Sequence, residues 1–297
     1  VTEETFRENF ASRGEIGAGV CVFKDGEKVV DLWGGYRDEG RTQLWTQDTI
    51  TLMNSVAKSM CALAVHILAD RGEVDTDAAV ADYWPEFSQN GKEGILVRQV
   101  LGHQCGAIFS DTAKPGDWFD YTAQCVAIAR QEPAWPVETK GAYNTINIGF
   151  ILGEVVRHVT GKTIGTFIRD EISRPLGAEY NIGLTKDEVA LVAPMHLNPE
   201  NKFWAQGAEA GSNLNRAWSG RPDRPDLLNC TEIREGELPA FGGHGNARGV
   251  ATIYAMLAGN GEINGVRLLQ PTTVDRLSML QWEGICEMTG SPRRFGL

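Results

Sequence analysis

The chain has 297 residues, 42% of them hydrophobic and 23% charged, with a formal net charge of −11. This composition fits a globular protein with a sizeable core, and the excess of acid argues against nucleic acid or an anionic membrane surface as main partner. No apolar run reaches the roughly 18 residues that span a bilayer.

Thr2 to Ser12 reads as a short polar helix. Ala18 to Phe23 and Lys28 to Trp33 read as strands joined by a Lys24-Asp25-Gly26 turn, since Asp-Gly between β-rich runs signals a hairpin. Thr49 to Met53 is an extended lead into an apolar helix that opens at Asn54 and stops at Asp70-Arg71-Gly72. Ala78–Tyr83, Val97–Leu101 and Tyr121–Arg130 are helical, and Ile108–Trp118 is a loop suited to rimming a pocket. The stripe Ile148, Ile151, Leu152 and Val155 marks a helix from Ile146 to Val159, closed by Gly161. A helix from Thr163 to Ile172 is expected to end at Pro175-Leu176-Gly177. Residues 198–234, rich in Gly, Asn, Arg and Pro, read as a long surface excursion. Phe241 to Gly245 is a flexible turn before a helix over 247–257, and a strand at Val266–Leu269 and a helix at Thr272–Leu280 follow.

Chemistry concentrates at Asn54-Ser55-Val56-Ala57-Lys58-Ser59. A Ser and a Lys three residues apart share a helix face. With ten Ser and nine Lys in the chain, chance supplies roughly 0.3 S-x-x-K matches, and this is the single occurrence. In the first turn, free N–H groups and the positive end of the dipole favour developing negative charge on Ser55, while burial and that same field favour a neutral, basic Lys58. The bland alternative is a helix start with a solvated Ser and Lys.

Other chemistries lack their signatures. None of the serines sits in a G-x-S-x-G elbow. The five histidines make no H-x-x-x-H pair, and His66 and His158 fall inside helices. No phosphate-binding glycine motif follows a strand. No metal or other cofactor is expected. The six cysteines (21, 61, 105, 125, 230 and 286) are scattered, as buried free thiols are. They favour the cytoplasm, as does the lack of a signal-peptide pattern, although a chain that starts with Val leaves a processed leader open. Tyr143, just before the helix at 146–159, is the best-placed proton shuttle, with a pKa lowered by Lys58. The alternative is a tyrosine packed on the helix start with its hydroxyl in solvent, and spacing alone does not choose.

Several stretches, in order along nearly the whole chain, carry a resemblance: Asp31-Leu32-Trp33-Gly34-Gly35, Ser55-Val56-Ala57-Lys58-Ser59, Leu101-Gly102-His103-Gln104-Cys105-Gly106, Tyr143-Asn144-Thr145, Gly149 to Glu154, Pro175-Leu176-Gly177 and Gly265 to Leu269. The chain resembles the serine β-lactamase/penicillin-binding-protein superfamily, in particular its class C-like branch and the family VIII carboxylesterases. The resemblance implies an α/β (α+β) β-lactamase/transpeptidase-like fold: an antiparallel sheet flanked by helices, a mainly helical region, and the nucleophile at the start of a central helix. One catalytic domain over 1–297 is expected, with 1–60 and 240–297 in the sheet layer and 75–240 in the helical layer and loops. The resemblance also implies Ser55 as acylated nucleophile, Lys58 as its partner base and Tyr143 as base, then acid. Asn144, Thr145 and His244 are the substrate-side candidates.

Two departures matter. Class C enzymes carry Y-x-N where this chain has Tyr143-Asn144-Thr145, which favours the esterase branch. Gly243-His244-Gly245 looks like the superfamily's third motif, yet the helix after it resembles the one before the family's late strands, so that motif is expected beyond Leu297. Without those strands a sheet edge would be open. The expected activity is hydrolysis of small carboxylic esters through an acyl-enzyme, with weak β-lactam hydrolysis. The rivals are a class C β-lactamase, a D-Ala-D-Ala peptidase, an acyltransferase and a non-catalytic family member.

Overall fold

A computed structural model describes residues 2–196, 207 and 209–297. Helix α1 (Thr2–Ser12) precedes a hairpin of β1 (Gly17–Lys24) and β2 (Glu27–Gly35), whose strands pair from Gly17↔Gly35 to Lys24↔Glu27. Asp25 and Gly26 take φ 52° and 80°, the left-handed pair a two-residue hairpin demands. A short strand β3 (Thr51–Leu52) then leads into α2 (Val56–Asp70). Helix α2 is buried on nearly every side, from Ala57 to Leu68, so it is a core element and not an amphipathic cover.

Around it lie α3 (Val80–Tyr83), α4 (Val97–Leu101), α5 (Tyr121–Arg130) and α6 (Asn147–Thr160). The Asp120 carboxylate caps α5 by accepting from Ala123 N at 2.9 Å. Helix α6 packs against α2 and ends at Gly161, φ 72°. The next helix ends at the expected Pro175-Leu176-Gly177: α7 (Ile164–Ile168) continues through a π-helical turn at Arg169–Ser173 into α8 (Arg174–Leu176). Pro175 lies at the close of this helical run, and Gly177, at φ 59°, makes the stop.

The β structure differs from one continuous sheet. It consists of separate antiparallel ribbons: β1 with β2; a three-stranded group ordered β3-β5-β4; β6 (Glu262–Ile263) with β7 (Val266–Arg267); and β8 (Trp282–Ile285) with β9 (Pro292–Phe295). In the middle group, β4 (Tyr180–Ile182) comes from the stretch read as mainly helical. Its centre, β5 (Gly243–Gly245), is a buried strand and not the flexible turn expected from its glycines. A Cβ on Gly243 would sit 1.8 Å from Tyr180 Oη, so the residue that disguises the strand is the one that lets Tyr180 pack across it.

After α9 (Lys186–Val189) comes the expected surface excursion, of which residues 198–206 and 208 lie outside the described residues. The rest is not superficial. It forms α10 (Asn213–Ala217) and α11 (Thr231–Glu235) and buries Leu214, Trp218, Leu227, Leu228 and Ile233 in the main core. Helical turns this short are too brief to show a period. Helix α12 (Ala247–Ala258) packs on β1, and α13 (Pro271–Leu277) on α2. All six cysteines are free, and all but Cys21 are buried. Among the described residues, no helix is long and apolar enough to cross a membrane.

Candidate active site

Helix α2 begins one residue later than its sequence suggests. Ser55 is the N-cap, at φ −69° and ψ −1°, and no side chain caps the helix. Asn54 instead turns the chain sharply between β3 and α2 at φ 47°, a left-handed conformation that Asn tolerates better than most residues.

The one-turn spacing does bring the pair together: Lys58 Nζ donates to Ser55 Oγ at 3.0 Å and to the carbonyl of Ala240 at 2.9 Å. That carbonyl reaches Lys58 because α6 passes against residues 239–240. A Cβ on Gly149 would lie 2.4 Å from Ala240 N. Lys58 is 7% exposed, and burial brings its pKa down to about 7.

Tyr143 closes the other side. Lys58 Nζ stands 5.1 Å from the centre of its ring, and Ser55 is close enough to its hydroxyl to act on its titration. The expected lowering of the Tyr143 pKa is not observed: burial raises it, against smaller opposing effects from Ser55 and Arg293. The reason is that burial of the phenol disfavours its charged form more than those contacts favour it. At neutral pH the group poised to take a proton is the amine, and the phenol holds one.

The other expected site residues divide. Thr145 lines a cavity of about 200 Å³ beside Ser55, walled by Trp118, Trp218, Phe241 and Ile146 among the described residues. Asn144 turns away from it: its amide donates to Ala107 O at 3.1 Å and accepts from Ile148 N at 3.0 Å, so it braces the start of α6. His244 stays on β5 opposite Leu52 and Asn181, with Nδ1 3.0 Å from Gly242 O. It lines neither cavity at Ser55.

A second, open cavity of about 520 Å³ meets the first at Ser55 and Tyr143 and carries Lys58 and His103 on its wall. Nothing in the sequence distinguished His103 from its neighbours. Its Nδ1 accepts from Asn144 N at 3.0 Å, and its ring lies 5.4 Å from that of Tyr143. Burial, then Lys58, depresses its pKa to about 3, so it stays a neutral imidazole behind the tyrosine. The aromatic walls also escaped detection, because Trp118 and Trp218 sit in stretches that read as loop. Among the described residues, no group of three or more His, Cys, Asp or Glu could hold a metal ion.

Comparison with known proteins places this geometry. The Beta-lactamase family model matches residues 2–294. Esterase/beta-lactamase LipL of Mycobacterium tuberculosis is 31% identical over 282 residues, covering 92% of this chain and 66% of LipL, so the chain spans just under two thirds of that relative. The crystal structure of a family VIII carboxylesterase superposes with a TM-score of 0.89 at 33% identity, covering 99% of this chain and 78% of that one. A penicillin-binding protein homologue from Caulobacter crescentus gives 0.86 at 33% identity over the same shares. The fold is β-lactamase/transpeptidase-like, as the resemblance implied, and the chain belongs to the Beta-lactamase family.

Proposed function

We propose that the protein is a serine hydrolase that cleaves small carboxylic esters through a covalent acyl-enzyme on Ser55. The observation that carries this is the 3.0 Å contact between Ser55 Oγ and a buried Lys58 whose pKa lies at about 7. With a pKa of about 7 the amine is about half neutral at pH 7, and that neutral form accepts the serine proton as Oγ attacks the ester carbonyl.

The tetrahedral oxyanion would form at the positive end of α2, within reach of the Ser55 N–H, which makes no backbone hydrogen bond among the described residues. As the intermediate collapses, Tyr143 gives its proton to the leaving alkoxide and regains one from the Lys58 ammonium. Water then repeats the sequence in reverse to release the acid. The 200 Å³ cavity is smaller than the roughly 300–1,000 Å³ of drug-sized sites, which supports a short acyl group. The names of LipL and the family VIII carboxylesterase support the ester class.

Ser55→Ala assayed on p-nitrophenyl butyrate tests the reading: turnover should fall to background, and unchanged turnover rejects it. A parallel assay on a cephalosporin measures the β-lactam side activity.

A further inference from the structure

The backbone on either side of Tyr143 is gripped by a single residue. His103 uses both its main chain and its side chain on the neighbouring peptide units: its carbonyl accepts from Ala142 N at 3.0 Å, and its Nδ1 accepts from Asn144 N at 3.0 Å. Its ring stands 5.4 Å from the Tyr143 ring and 4.6 Å from that of Phe295 on β9. His103 is itself moored to the end of α4, where its N–H donates to Val100 O at 3.1 Å. It takes φ 59°, a left-handed conformation uncommon for residues other than glycine, which persists only where the surroundings fix it. The bond from Asn144 requires an unprotonated Nδ1, so the imidazole is neutral and carries its proton on Nε2. Burial, and then Lys58, hold it in that form.

Resting on the acyl-enzyme reading of Ser55 and the proton-donor role of Tyr143, we propose that His103 is a positioning residue. Its Nδ1 acceptor sets the register of the 142–144 backbone and so aims the Tyr143 phenol at the leaving group, while His103 itself takes no proton. As the acyl C–O bond breaks, the phenol O–H breaks and the O–H of the departing alcohol forms, so a misplaced phenol slows that step. How much it slows depends on the ester. p-Nitrophenolate departs as a stable anion and needs little help, whereas ethoxide must be protonated as it leaves. A loss of folded protein lowers both rates alike; a misplaced phenol penalises the ethyl ester more.

The test is the ratio of kcat/KM for p-nitrophenyl butyrate to that for ethyl butyrate. His103→Gly accepts the left-handed φ and removes the acceptor, and it should raise the ratio roughly tenfold or more. His103→Asn also tolerates that φ and carries Oδ1 on Cγ, as histidine carries Nδ1, so it should return the ratio to within about threefold of wild type. Tyr143→Phe should raise the ratio at least as far as His103→Gly. Adding His103→Gly to Tyr143→Phe should raise it no further, because both act through one phenol. Each ratio is taken on one protein, so a smaller folded fraction cancels from it. A ratio unmoved in His103→Gly while Tyr143→Phe raises it overturns the inference and leaves the acyl-enzyme reading standing. Equal rises in His103→Gly and His103→Asn overturn it as well, since the acceptor is then not what places the phenol. The acyl-enzyme reading fails on a different result, wild-type turnover of both esters by Ser55→Ala.

Discussion

The backbone N–H of Tyr143 donates to the sulfur of Cys286 at 3.2 Å, tying the proposed proton donor to a hairpin 143 residues further on. The adjacent N–H groups are held as firmly, Ala142 by the carbonyl of His103 at 3.0 Å and Asn144 by its imidazole at 3.0 Å. Glu287 N adds a bond to Gly141 O at 3.0 Å. Cys286 is fully buried, so removing its sulfur leaves the Tyr143 N–H with no water to turn to. Cys286→Val should cost about 1–3 kcal/mol and lower kcat roughly tenfold with little change in KM, because the phenol loses its register over Ser55. Cys286→Ser should recover part of the loss. Equal activity in both variants and the wild type would show that the contact does not position Tyr143.

The titration of Lys58 predicts two opposite responses. Turnover needs the neutral amine, so kcat/KM should rise with pH through about 7 and level off above it. Stability follows from the same burial. The folded-state pKa lies below the unfolded value of about 10.4, so the unfolded chain binds more protons between the two and stability rises with pH across that window. The cost of burying the ammonium is therefore full below about 7. Lys58→Met should reduce turnover by at least about a hundredfold yet raise Tm at pH 6, a gap that narrows as pH approaches 10. A Lys58→Met protein that melts earlier than wild type at pH 6 would mean that the bond to Ala240 outweighs desolvation.

How far the sequence reached depended on whether a feature was local. The S-x-x-K turn, the Asp25-Gly26 hairpin and the stripe of α6 are set by residues a few positions apart, and they fold as their patterns say. His244 failed because a Gly-His-Gly tripeptide carries no alternation, and only Tyr180, far away in the chain, shows why glycine is there. Asn144 and Thr145 are neighbours of equal promise in the sequence. The start of α6 turns one inward to brace the helix and the other toward Ser55. The grip of the β8–β9 hairpin on Tyr143 is a long-range contact that no window of sequence contains.

Lys92 offers a stability test remote from the chemistry. It is 1% exposed, and its ammonium donates to the carbonyls of Gln89 at 2.7 Å, Ala129 at 2.9 Å and Gln131. Two of these lie at the carboxyl end of α5, where a cation satisfies carbonyls that the helix cannot. Lys92→Met should lower the free energy of unfolding by about 2–4 kcal/mol, read as a lower urea midpoint at constant m. Lys114→Met, at an exposed position, should stay within about 0.5 kcal/mol of wild type. A Lys92→Met midpoint no lower than that control would reject the capping role.

The size of the aromatic cavity sets the last expectation. Trp218 stands edge-on to Trp118, with ring centres 6.4 Å apart, and together they bound the space beside Ser55. Truncating Trp218 to alanine extends that space, and each methylene newly accommodated is worth about 0.8 kcal/mol. Trp218→Ala should therefore raise kcat/KM for p-nitrophenyl octanoate relative to butyrate by about tenfold or more, at a stability cost of about 3–5 kcal/mol. Because the comparison is a ratio between two esters on one protein, partial unfolding cancels from it. If the ratio stays at the wild-type value in the folded fraction, the acyl chain does not enter between the tryptophans. It must then lie in the open cavity along α2, on the far side of Tyr143.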